Sequence, residues 1–114
     1  MQIINQPIKL AVIKKMAQGK FGQLVKAVVD VNQEIMAVDA DMHADEEQLL
    51  LENGSRQTDL WGINLYPEQF GQDNFIEFDS IINLRPTQNN LSRGVENESL
   101  KEKIRQIVIK LVQS

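Results

Sequence analysis

Between Leu24 and Met42 two runs, LVKAVVDV and IMAVDADM, flank the short polar sequence Asn32-Gln33-Glu34. β-Branched side chains lose rotamer freedom against a helical turn but fit a pleated surface. A polar interruption this short is a hairpin connection. The two runs are therefore read as antiparallel strands, with Val25, Ala27, Val29 and Val31 on one face of the first. A chain committed to such a ribbon must cover its apolar face with further strands or helices.

The rest of the sequence supplies both. Leu10, Ile13, Ala17 and Phe21 recur at helical spacing after Pro7, which suits a first helical turn because its missing N–H costs nothing there. Gly19 or Gly22 then ends that helix. Residues 44–52 are nearly all good helix formers, and Gly54 stands where a left-handed cap would be. The competing reading there is a strand, Gln48 to Leu51, ending in an Asn53-Gly54 hairpin turn. Leu60 to Pro67 reads as a third strand and Phe75 to Arg85 as a fourth, each closed by a proline that cannot donate to a ladder. Leu100, Ile104, Ile107, Val108 and Leu111 make the stripe of a C-terminal helix with Asn97 as N-cap. Ile109 and Val112 fall off that stripe and raise the possibility of a homodimer. The expected order is α-β-β-α-β-β-α, an α+β fold with an antiparallel sheet of two hairpins packed by helices.

At 114 residues the chain has room for one core, so 1–114 is read as a single domain. It has no cysteine, which excludes disulfides, thiolate metal sites and cysteine nucleophiles. No basic region precedes an apolar run near the N-terminus, so no signal peptide is expected. No apolar run approaches the ~20 residues of a membrane helix. A soluble, cytoplasmic protein is expected. The net charge of −4 argues against broad phosphate-driven binding to nucleic acid. Charge is uneven, however: residues 1–26 hold five lysines and no acid, and residues 39–52 hold six acids and no lysine or arginine.

Candidate chemistry gathers in the second half. Read as a strand, FIEFDSIINLR puts Ile76, Phe78, Ser80, Ile82 and Leu84 on one face and Phe75, Glu77, Asp79, Ile81, Asn83 and Arg85 on the other. The second face is polar enough to mark a site, and Asn64 and Tyr66 on the neighbouring strand would extend it. Arg85 and Arg93, with Asn83, Asn64, Gln88 and Asn90 between or beside them, could grip a small anionic ligand or an acidic segment of a protein partner. The plainer reading is a surface loop held by its own side-chain-to-backbone bonds. Glu77 and Asp79, joined by His43 and by Asp45 or Glu47, could instead hold a divalent metal for phosphoester hydrolysis. Against this, acids in a first helical turn also serve the helix dipole, with Asp41 or His43 as cap. No Walker motif, dinucleotide fingerprint or nucleophile elbow is present.

The segments HADEEQLLLENGSRQTDLWGINLYP and IEFDSIINLRPTQNNLSRGVEN are similar to a small bacterial family catalogued only as a domain of unknown function. The resemblance rests on residues such as His43, Asp45, Trp61, Asn64, Glu77, Asp79, Asn83, Arg85 and Arg93. It implies a compact α+β fold and carries no established activity, so it assigns no functional residue.

Overall fold

A computed structural model of the chain describes residues 1–114. In order come β1 (Gln2–Ile4), β2 (Ile8–Lys9), α1 (Leu10–Gly19), β3 (Val25–Asp30), β4 (Ile35–Val38), α2 (His43–Glu52), β5 (Leu60–Leu65), β6 (Ile76–Glu77), α3 (Glu98–Leu111) and β7 (Val112–Gln113). Short 3-10 turns at Gln57–Asp59, Pro67–Gln69, Asp73–Phe75, Ile81–Asn83 and Pro86–Gln88 fill the connections. The fold is α+β, built on a five-stranded sheet of order β1-β4-β3-β5-β6. Every neighbouring pair in it is antiparallel.

The β3–β4 ribbon forms as its composition dictates, with Val29 opposite Met36 and Asp30 opposite Ile35. Asp30 closes it: its fully buried carboxylate accepts the backbone N–H groups of Asn32 and Gln33, each at 2.9 Å. It also accepts the Ser55 hydroxyl at 2.6 Å, tying the end of α2 to the hairpin turn. Residues 44–52 are helical, and the C-terminal signal decides it. Gly54 adopts φ +96°, and Ser55 N–H reaches back to Leu50 C=O at 3.0 Å, satisfying a carbonyl the helix would otherwise leave bare.

Helices cover both faces of the sheet. Val25, Ala27, Val29, Trp61 and Ile63 join Ile13 and Met16 of α1 and Ile104, Ile107 and Leu111 of α3 in the main core. The opposite face buries only Val28, Ala37 and Leu60 against Leu50 of α2. Burying Leu50 there contributes about 2 kcal/mol. Because that face is short of apolar residues, α2 covers only part of it. Lys26, Asn64 and Glu77 line up in register across β3, β5 and β6 beside the covered part.

Several expectations needed correction. Helix α1 starts at Leu10, directly after the two residues of β2, so Pro7 precedes the helix rather than opening it. Phe21 lies past its end and is exposed. Val112 needs no second copy: it is buried in β7, whose parallel pairing with β2 sets it opposite Ile8. Ile109 stays 64% exposed. The largest departure is the fourth strand. Pairing stops after Glu77, and the chain turns in a 3-10 helix at Ile81–Asn83 whose cap is Ser80, its Oγ accepting Ile82 N–H. A repeat of about three replaces the repeat of two. Asn83 and Arg85, placed on the open face by alternation, are buried, and Leu84, placed in the core, is exposed.

Candidate functional site

Arg85 and Arg93 stand only eight positions apart, yet the structure gives them different surroundings. Arg85 is buried between β5, α2 and the turns that follow β6. Its Nε donates to Ile82 C=O at 3.0 Å, and its Nη1 to Gln57 C=O at 2.7 Å and to Gln88 Oε1 at 3.3 Å. Its Nη2 donates to Leu60 C=O and lies 3.8 Å from Glu47 Oε2. The guanidinium plane lies 4.5 Å from the Trp61 ring centre. Burial lowers the Arg85 pKa, and Glu47 acts against that shift. A guanidinium spent on backbone carbonyls organises the fold and has little left for a ligand.

The amides around it are spent likewise. Asn83 Oδ1 accepts Gly62 N–H at 2.8 Å while its Nδ2 donates to Gly62 C=O at 2.9 Å, so the side chain stands in for a strand residue where β6 has ended. Gly62 permits this closeness. A Cβ there would lie 2.5 Å from Ser80 Cβ, far inside contact distance. Asn90 Nδ2 donates to the carbonyls of Asn83 and Gly94, both at 2.7 Å, and its Oδ1 accepts Glu96 N–H. Gln88 bridges Arg85 and Thr58 C=O. For Arg85, Asn83, Gln88 and Asn90 the plainer reading, a loop held by its own bonds, describes the geometry.

Arg93 is 56% exposed, measured on its side chain. Only its Nε is engaged, donating to Asp79 Oδ1 at 2.7 Å. Its terminal nitrogens donate to no group of the chain. With Lys26, His43 and Ser80 it lines a cleft of about 260 Å3 between the first turn of α2 and the Ile81–Asn83 turn. Lys26 is the second residue of β3, and its ammonium makes no carboxylate pair; it lies 5.4 Å from the Phe21 ring centre. Asp41, also in the cleft wall, is paired with Lys20 at 3.3 Å.

His43 is the first helical residue of α2, preceded by Met42 at the N-cap position, where no side chain caps the helix. This replaces the expected Asp41 or His43 cap. The imidazole is buried with its Nε2 2.7 Å from Ile63 C=O, so that nitrogen carries the proton. Burial lowers the His43 pKa against the pull of the Ile63 carbonyl, leaving the ring neutral near pH 7. His43 also lines the cleft. Asn64 lies beside the ring, with its Oδ1 buried and without a partner. Its Nδ2 donates to Glu77 Oε1 at 2.8 Å, and Tyr66 Oη donates to the same oxygen at 3.1 Å. The polar surface therefore spans strands, as the pattern predicted, and Lys26 widens it.

The carboxylate and histidine candidates disperse. Asp45 is exposed, Glu47 faces Arg85, Glu77 is held by Asn64 and Tyr66, and Asp79 is paired with Arg93. No three of the histidine and acidic groups come together as a metal site requires. In the first turn of α2 lies a carboxyl the pattern did not single out. Glu46 is fully buried, accepts Ala40 N–H at 3.0 Å with Oε2, and has no partner for Oε1. Burial pushes its pKa up to about 9, so it is protonated at neutral pH. Lys26 was the other residue missed. Its one signal was a lysine interrupting the apolar set of a central strand.

No helix of the chain is long and apolar enough to cross a membrane. Among curated proteins and solved structures no match is found. Residues 2–111 match the model of a family described as protein of unknown function (DUF5674), and the chain belongs to that family.

Proposed function

We propose that this member of the DUF5674 family binds a small anion in the cleft at the start of α2, without transforming it. The observation that carries the reading is the convergence of Lys26, His43 and Arg93, from three separate elements, on one cavity. Two cations with unspent donors meet the positive end of a helix that has no side-chain cap. A guanidinium offering its terminal nitrogens suits a carboxylate or phosphate bidentately. Relative to the sequence-level expectation, the recognition role passes from Arg85 to Lys26, and Arg93 keeps it.

His43 gives the binding a pH dependence. Burial lowers its pKa and favours the neutral ring. An anion beside the ring favours the imidazolium, so binding takes up a proton and affinity rises as pH falls.

The reading is tested by following backbone amide and side-chain NMR shifts during titration with inorganic phosphate and with acetate at low ionic strength. Saturable shifts clustered at Lys26, His43, Ala44 and Arg93, lost in Arg93→Ala, are expected. Shifts absent at millimolar anion, or undiminished in Arg93→Ala, would remove the proposal.

A further inference from the structure

The walls of the cleft carry a second property. Met42 and Ile81 are 59% and 67% exposed, and both line the same cavity, with Ala44 and Ile82 below them. Single exposed apolar residues are ordinary. Here two large ones from different elements stand beside two cations and a helix start. Met42 holds the N-cap position of α2, where Ser, Thr, Asp or Asn would satisfy an N–H of the first turn. Its thioether side chain forgoes that bond and offers a flexible apolar surface instead. Ile81 opens the next turn in the same way: Ser80 supplies the cap, and the Ile81 side chain goes to solvent.

We infer that the ligand of this cleft is a small monocarboxylate with an aliphatic body, its charged end at Arg93 and Lys26 and its chain against Met42 and Ile81. The inference rests on the anion-binding reading above and narrows it. Charge and shape each restrict the class. The only acid in the wall, Asp41, is committed to Lys20, leaving the cleft cationic. A guanidinium whose Nε is already held by Asp79 keeps two parallel terminal donors, the match for one planar carboxylate. The volume of about 260 Å3 lies below the range of drug-sized pockets, so the body is short. Bare phosphate or acetate would leave the apolar wall wet.

The test is a calorimetric series on the intact chain with acetate, butyrate, hexanoate and octanoate, alongside inorganic phosphate and neutral hexanol. Affinity is expected to rise up to roughly fourfold for each methylene buried, until the cleft is full. Hexanol is expected to bind at least ~10-fold more weakly than hexanoate, since it lacks the charge-assisted bonds. In Met42→Ser combined with Ile81→Ser, two exposed positions whose effect on folding is checked by a melting curve, the dependence on chain length should flatten. If phosphate and acetate bind but the series is flat, the aliphatic body is wrong and the anion site stands. Hexanol matching hexanoate, or a series still steep in the double variant, also overturns the inference. If no anion binds at all, this inference and the reading beneath it fall together.

Discussion

The neighbourhoods of Arg85 and Arg93 differ in how much of their polar capacity the fold itself consumes. Around Arg85, guanidinium, amides and carbonyls answer one another, and the side chains replace a missing strand. Around Arg93, one ion pair is made and the remaining donors face a cavity shared with Lys26 and His43. Polar density alone does not distinguish a binding site from a structural joint. The useful quantity is unspent hydrogen-bonding capacity at a surface that a ligand can reach.

The largest effect should come from Arg85→Ala. It strands the carbonyls of Leu60 and Ile82, takes one of two donors from Gln57 C=O and leaves Glu47 without its counter-ion, a loss of about 3–5 kcal/mol by chemical denaturation. Lysine should not restore it, since one ammonium cannot cover three divergent acceptors. A variant that melts like the parent would erase the contrast between the two arginines. Asn83→Ala should cost about 3 kcal/mol, because Gly62 keeps a buried N–H and C=O without partners.

On the cleft side, Glu46→Gln should stabilise. The folded carboxyl has a pKa of about 9 against an ordinary 4.5. Below pH 4.5 both folded and unfolded states are protonated. Between 4.5 and 9 the unfolded state releases its proton while the folded state retains it, so stability falls as pH rises. At pH 7 the penalty is on the order of 3 kcal/mol, and a neutral amide avoids it. The gap in melting temperature between variant and parent should widen from pH 5 to 8; a constant gap would mean that Glu46 is not protonated in the fold. Arg93→Ala should change stability least, by under ~0.5 kcal/mol, since its ion pair is exposed. It should nevertheless weaken phosphate binding about 10-fold or more, read by titration.

The sequence made the sheet and helices legible wherever one face had to be apolar. The β3–β4 ribbon and the α3 stripe with its Asn97 cap stood out for that reason, while α2 was read from its helix formers and Gly54, with a strand as the competing reading. It failed after Glu77, where Phe78, Ile82 and Leu84 share one parity and Asp79, Asn83 and Arg85 the other, as in a strand, although Ser80 and Ile81 break the alternation. There the outcome depends on a tertiary contact: the Asn83 amide finds Gly62, and the chain turns to deliver it. The short strands β1, β2 and β7 were missed because two or three residues carry no readable period. At the site, Asn64 and Glu77 were found by their shared face, and His43 by its chemistry. Lys26 and Glu46 were not, since a lone lysine in a strand and one acid among several in a helix announce nothing until the layers are assembled.

The stand-in strand at Asn83 has a consequence for the company the protein keeps. Along β5, the even-numbered residues turn their backbone groups toward the outer side of the sheet. Asn64 is answered by β6, Gly62 by Asn83, and Leu60 by Arg85. That margin is thus sealed by side chains and offers no template onto which a foreign chain could add itself. Removing Asn83 would therefore do more than loosen a loop: it would reopen a sticky border, and aggregation at high concentration should follow even where the remaining fold survives.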